Sequence, residues 1–301
     1  MSTVLIAGGT GLIGQRLSQL LGEKGYEVTF LSRKKKSNPK YFQWDTKKGT
    51  IDTLAIQTAD YVINLAGAGI VDKRWTDARK KILIESRTQT INLLQESFEK
   101  IKKPKAFLSA SAIGYYGNRG DEWLTETSAP QPEDFLSECT IAWENAATKV
   151  MDLDIRTAIF RIGIVLSKKG GALPEMILPM KFGAAVSFGD GQAYYPWIHI
   201  DDVCNMFIWG IENQNARGIY NAVAPEPLPV KDLVKEIKKA RGGFALPIPA
   251  PNFALRLAMG EMADMLLNSA RVSSEKISQA GYEFSFPEVG VALKDILKRK
   301  V

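Results

Sequence analysis

Three glycines in the run GGTGLIG, Gly8, Gly11 and Gly14, close a short apolar stretch (Thr3 to Ala7) and open a segment with helical periodicity. Glycine at such a junction lets the chain approach a pyrophosphate without a Cβ in the way, while the first N–H groups of the helix point at it. Thr10, Leu12 and Ile13 complete this loop, and Gly14 also allows helix and sheet to pack closely. The second informative position ends the next apolar run, Glu27 to Leu31. A coenzyme with two free ribose hydroxyls calls for Asp or Glu there, roughly 20 residues after the glycines. This chain has Ser32 and Arg33 instead. A carboxylate would repel a 2′-phosphate, whereas Arg33 offers a charge-assisted fork and Ser32 a hydroxyl donor. The pattern reads as a site for NADP(H).

The elements needed to hold these residues are present in the chain. The 301 residues are 45% hydrophobic and 24% charged, enough for a substantial α/β core. Apolar runs at 3–7, 27–31, 61–65, 106–111 and 155–165 read as strands. They are separated by helical stretches near 12–25, 75–100 and 136–151. Strands alternating with helices predict an α/β fold, a Rossmann-type doubly wound parallel sheet with a smaller C-terminal substrate-side lobe. The expected division is a dinucleotide-binding domain over 1–167, its sheet completed by about 194–224, with 168–193 and 225–301 forming the lobe. The glycine-rich segment 168–193 reads as a mobile or substrate-facing excursion, and 252–267 as one amphipathic helix.

Several function classes are excluded or made remote. One histidine and two cysteines, Cys139 and Cys204, supply no metal-ligand spacing, so no metal is expected. The net charge of +6 is scattered, and only the run Arg33 to Lys36 falls where a phosphate is expected, so no nucleic-acid partner is implied. No stretch reads as a signal peptide or membrane span, which makes the cytoplasm the expected compartment.

The motifs GGTGLIG, NLAGAGI (64–70), IESRTQT (84–90), SASAIGYYG (109–117), DFLSECTIAWENAA (134–147), Arg161 to Gly171 and WIHIDDV (197–203) resemble the extended short-chain dehydrogenase/reductase superfamily. They are most similar to its bacterial NAD-dependent epimerase/dehydratase family group, and the ending NSARVSSEKISQAGYEFSFP resembles that group's C-terminal domain of unknown function. The resemblance implies that Asn64, Leu65, Ala66 and Gly67 line the coenzyme, that Asp45 lies near the adenine, and that Ser109 and Arg161 belong to the coenzyme site. It also implies that Ser111 is the serine of a Ser-Tyr-Lys arrangement and that a homodimer can form.

One departure bears on chemistry. Hydride-transfer members pair a tyrosine with a lysine four residues later, and none of the nine tyrosines here has a lysine at that spacing. On the helix that should carry the pair, Phe135 or Leu136 stands for tyrosine and Cys139 or Thr140 for lysine. A replacement acid is then expected at Tyr115 or Tyr116, with Ser111 orienting the substrate. On the substrate side, Trp75, Trp143, Tyr115, Met176, Trp197 and the 170–190 loop would form an aromatic, mostly apolar pocket, with Arg74, Arg87 or Arg161 able to meet an anion; for His199 a structural hydrogen-bonding role is the first reading and a substrate or cofactor role the second. The expected function is an NADP(H)-dependent oxidoreductase or epimerase-like enzyme acting on a small molecule. The alternative is a coenzyme-binding sensor without turnover.

Overall fold

The structure, a computed structural model, describes residues 1–298. Five continuous or nearly continuous apolar runs become β1 (Thr3–Ala7), β2 (Glu27–Ser32), β5 (Tyr61–Asn64), β6 (Ala106–Ala112) and the strand Thr157–Ile162. Such runs suit strands covered on both faces, and Val4 to Ala7 are wholly buried. β3 (Tyr41–Asp45) and β4 (Thr50–Ile51) extend the sheet. Its order is Gly218–Ala222, Thr157–Ile162, β6, β5, β1, β2, β3, β4. β1 pairs in parallel with both β2 and β5, β2 with β3, and β5 with β6; β3 and β4 are antiparallel. The chain reverses direction of growth on either side of β1, the position where open α/β sheets bind ligands.

Helices α1 (Leu12–Glu23), α2 (Thr53–Thr58), α3 (Asp77–Lys100) and α4 (Phe135–Thr148) connect the strands. The side chain of Asp52 caps α2 by accepting from Leu54 N–H, and that of Thr76 caps α3 by accepting from Arg79 N–H. α1 begins at Gly11 with no side-chain cap and no acidic residue in its first turn.

The chain divides into two compact units: residues 1–111, 139–160 and 204–220 form the first, and 112–138, 161–203 and 221–301 the second. This differs from the division expected from sequence. Residues 112–138 and 161–167 join the second unit, which is no smaller than the first. The reason is a set of pairings with the C-terminal chain: Trp123–Leu124 pairs in parallel with Arg271–Val272, and Ser273 N–H donates to Leu124 O. Asn268 Nδ2 donates to the Asp134 carboxylate, and Ser269 N–H to Asn118 Oδ1.

The second unit has its own core, including Leu173, Met176, Met180, Trp197, Leu233, Ile237, Leu293 and Ile296. The segment 168–193, read from sequence as a mobile or substrate-facing excursion, contributes Leu173, Met176 and Met180 to this core. It forms a helix (Ala172–Ile177) and a strand (Ala184–Phe188) paired with Leu246–Ala250. The single helix expected over 252–267 breaks at Gly260 (φ +61°) into Asn252–Met259, a tight turn and Asp264–Leu267.

Candidate coenzyme and active-site residues

Strand register explains the first site. Ala7 is level with Leu31 on one side and Asn64 on the other, and Asn64 is level with Ser109. The glycine turn, Ser32, the loop after Asn64 and Ser111 therefore all leave the carboxyl edge of one sheet.

The glycines there play different parts. Gly8 has φ +88°, and a Cβ on it would fall 2.6 Å from Leu65 C, so both backbone conformation and close strand approach require glycine. A Cβ on Gly14 would meet Gly8 O at 2.5 Å, and one on Gly9 would enter the Phe30 ring. Gly11 is unlike these: its φ is −74°, and an added Cβ would meet only Gly8 O at 3.4 Å. The protein has room for a side chain at Gly11, and the space so kept faces outward from the uncapped start of α1. Thr10 is exposed and its carbonyl accepts from Gln15 Nε2; Leu12 and Ile13 form the first turn.

Ser32 ends β2 in a small turn, its hydroxyl donating to Lys34 O at 2.8 Å. Arg33 is exposed, and its guanidinium has no partner among the described residues. Asp45 ends β3 and accepts from Lys47 and Lys48 N–H within its own turn, at 3.0 and 3.2 Å.

The loop 64–70 is held by side chains that the NLAGAG and IESR motifs supply. Asn64, fully buried, accepts from Ala66 N–H and donates to Ser109 Oγ. Ser86 Oγ accepts from Ala68 N–H, Arg79 donates to Gly69 O at 2.6 Å, and Trp75 Nε1 donates to Ile70 O at 2.9 Å. Arg87 lies against Gly67 and 5.1 Å from the Trp143 ring centroid. Trp75, Arg87 and Trp143 thus all lie in the unit that carries the glycine turn. Ser111 is buried and donates to Glu144 Oε2 at 3.0 Å. Glu144 comes from the AWEN run of α4, the sequence signal for its place here.

In the second unit Tyr115 and Tyr116 part company. Tyr116 is fully buried, its hydroxyl taking a hydrogen bond from Arg161 Nη1 (2.9 Å) and lying 2.6 Å from Asn221 Oδ1 and 3.0 Å from Thr125 O. Burial pushes its phenol up to about 12 against the opposing pull of Arg161. With the hydroxyl enclosed by protein partners, Tyr116 is corrected from candidate acid to structural residue. Tyr115 is half-buried; the Arg161 guanidinium covers its ring at 3.5 Å, and its hydroxyl makes no hydrogen bond among the described residues.

Two further expectations change, while His199 follows its structural reading. Arg161 is 1% exposed and donates to Tyr116 and Glu126 O, so it cements this network and does not present itself to a coenzyme. Trp197 is a core residue whose Nε1 donates to Glu226 O. His199 is buried, stacks on Phe286 at 3.8 Å, accepts from Asp201 N–H through Nδ1, and places Nε2 3.2 Å from Asp295. Together with Asp202, which accepts from Ser285 N–H, Phe286 N–H and Tyr282 OH, it shows the WIHIDD motif to be an anchor for the C-terminal chain.

Against this geometry, comparisons with known proteins settle the kinship. The sequence model of the NAD dependent epimerase/dehydratase family matches residues 4–222, and that of a domain of unknown function, DUF1731, matches residues 250–296. The chain belongs to the NAD dependent epimerase/dehydratase family. The Bacillus subtilis epimerase family protein YfhF is 34% identical over 299 residues, covering 98% of this chain and 97% of its own length. Human SDR39U1 is 34% identical over 298 residues, covering 98% and 99%. A crystal structure of human SDR39U1 isoform 2 with NADPH superposes with a TM-score of 0.89 at 33% identity, covering 99% of this chain and 100% of that one. Among the described residues no cluster of His, Cys, Asp and Glu fits a metal ion, and no helix is long and apolar enough to cross a membrane.

Proposed function

We propose that this family member is an NADP(H)-dependent oxidoreductase or epimerase-like enzyme acting on a small carbonyl compound or nucleotide-linked metabolite. One observation carries the reading: a glycine turn whose outward face is kept free at Gly11, followed at the next strand end by Ser32 and an unpartnered Arg33. The residues fit the coenzyme. The uncapped first turn of α1 would receive the pyrophosphate, Arg33 and Ser32 the 2′-phosphate, and the loop 64–67 would line it. The NADPH-bound human relative supports the same choice.

When bound, the coenzyme supplies or accepts a hydride. This chain must then hold or move a proton at the substrate oxygen without a Tyr-Lys pair. Tyr115, four residues after Ser111 in the chain and with an uncommitted hydroxyl, is the proposed donor in reduction, its phenolate then taking a proton from solvent. Ser111, its hydroxyl hydrogen held by Glu144, is the proposed orienting group through its oxygen, which can still accept. The missing pair is also what favours a second reading, a coenzyme-binding sensor. The enzyme is read as cytoplasmic and as forming a homodimer, which fractionation and size-exclusion chromatography test. Calorimetry with NADPH and NADH tests the coenzyme, and NADPH oxidation with a panel of carbonyl compounds tests turnover. Tighter NADH binding overturns the first assignment; NADPH binding with no turnover across the panel selects the sensor.

A further inference from the structure

Around loop 66–70 the first unit gathers donors that its own residues satisfy only in part. The Arg87 guanidinium lies on the Gly67 backbone, where a Cβ would come within 3.1 Å of its Cζ, and beside the Trp143 ring. Within the protein it donates from Nη1 to Leu83 O at 2.8 Å, and among the described residues no carboxylate pairs with it. Arg79, two turns earlier on α3, sits 3.7 Å from its acid Asp72. Its Nε is buried without a hydrogen-bond partner among the described residues, and so is Trp143 Nε1. Burial draws Arg87 below the ordinary arginine range and Arg79 adds to this, while Cys139 opposes it.

A partly buried cation without an acid is costly, and buried N–H groups are ordinarily paired. Folding alone does not call for this arrangement: Ser86, Arg79 and Trp75 already secure the loop by hydrogen bonds to its backbone. What the arrangement fits is an oxyanion, because the free edge of a guanidinium matches two oxygens of a carboxylate or phosphate.

We propose that Arg87, with Arg79 and Trp143, binds the carboxylate or phosphate of an anionic substrate. The proposal rests on the reading of the protein as an enzyme of small molecules and narrows its substrate to acids and phosphate esters. The test uses inorganic phosphate and malonate as probes, titrated calorimetrically into coenzyme-free protein and into protein saturated with NADPH. Both states are expected to bind the probes. Arg87→Gln should weaken phosphate roughly tenfold or more by removing a charged pair, and Trp143→Phe by a smaller factor, while NADPH affinity stays within about threefold. Arg87→Lys, which keeps the charge and loses the fork, serves if the glutamine variant fails to fold, and it too should weaken phosphate. The proposal is overturned if wild type binds neither anion, if the variants bind them as wild type does, or if NADPH displaces the probe from the Arg87-dependent site, which would make the anion the coenzyme's own. Failure of NADPH to bind wild type would sink the coenzyme reading alone, since the coenzyme-free titration still reads Arg87.

Discussion

Arg87 and Arg161 are both arginines packed against aromatic rings, Arg87 beside Trp143 and Arg161 over Tyr115, yet their surroundings differ in kind. Arg161 is closed: its Nη1 donates to the Tyr116 hydroxyl and to Glu126 O, and Tyr116 in turn meets Asn221. Arg87 is open, with one backbone acceptor among the described residues and a neighbouring Trp143 whose Nε1 has none there. Residue type and aromatic neighbour are alike in the two cases. The acceptor inventory separates a side chain that holds the fold from one kept ready for a ligand. Arg156 lies between the two kinds, its Nη1 and Nη2 donating to Gly210, Ile211 and Asn213 carbonyls at the end of the helix Ile200–Glu212 while its Nε is buried without a hydrogen-bond partner among the described residues.

The adjacent tyrosines offer the strongest way to break this comparison. Tyr115→Phe removes an uncommitted hydroxyl and should slow hydride transfer by about 10²- to 10⁴-fold, the usual worth of a general acid, with little change in NADPH affinity. Single-turnover stopped-flow oxidation of NADPH with a substrate from the carbonyl panel measures it, and an unchanged rate removes Tyr115 as the donor. Next in size is Gly11→Val. Because the protein leaves space at Gly11, the variant should fold with near-normal Tm yet bind NADPH about 100-fold more weakly, the overpacking cost of ~3 kcal/mol falling on the ligand. Unchanged binding in the folded variant would show that the turn is not the cradle.

Arg33→Ala tests an open donor at the surface. It should cost about 1.5 to 3 kcal/mol of NADPH affinity, the range for a hydrogen bond to a charged group, and hardly touch NADH. Equal loss for both coenzymes, read by calorimetry, would remove Arg33 from the 2′-phosphate.

Much of this was legible in sequence wherever a local rule was enough. The strand–GGTGLIG–helix unit, Ser32 and Arg33 follow from short-range chemistry, and the runs at 3–7, 27–31 and 106–111 became strands because parallel strands covered on both faces read as unbroken apolar segments. β3 was missed because Gln43 is exposed and Trp44 buried in an edge strand too short to show a period. Residue type points Tyr116 to the site, and the family resemblance points Arg161, Trp197 and His199 there. Their partners, Asn221, Glu126, Glu226 and Asp295, come from distant parts of the chain or turn on backbone carbonyls, and no spacing rule announces such closure. Asp45 shows the same limit on a small scale, its carboxylate serving its own turn.

Tyr116→Phe sharpens the closed side. It should leave hydride transfer intact and lower stability by about 1 to 3 kcal/mol, because Arg161 and Asn221 lose a buried partner. It should also alter the alkaline limb. The Tyr116 pKa is raised to about 12 in the folded protein by burial, so its contribution is fully present below the unfolded phenol value of about 10 and is lost as pH rises towards 12. Urea unfolding at pH 8, 10 and 11 should show this loss in wild type and much less of it in the variant; parallel curves would contradict the closed assignment.

The smallest expected effect lies at the opposite edge of the first unit's sheet, where acceptors are supplied in place of being withheld. Asp60, just before β5, takes a hydrogen bond from Thr3 N–H at 3.0 Å and pairs with Lys105 Nζ at 2.9 Å, tying together the starts of β1, β5 and β6. The Thr3 hydrogen bond first, and Lys105 after it, hold the Asp60 carboxyl below the usual carboxylate range, with desolvation opposing. A carboxyl depressed by folding contributes stability that is present above its unfolded value of about 3.9 and disappears as pH falls through the folded value. Asp60→Asn keeps an acceptor for Thr3 and loses the charge, so at pH 7 it should lower Tm by no more than about 3 °C, as befits a largely solvated pair in a protein of this size. At pH 3 the difference between variant and wild type should shrink, and NADPH affinity should be the same in both, because the glycine turn leaves the other end of β1. Melting curves at the two pH values decide it: a gap that widens on acidification would mean that the charge on Asp60 does not favour the fold, and a loss of NADPH affinity would mean that the two edges of the sheet are not separable in the way that open and closed donor sets require.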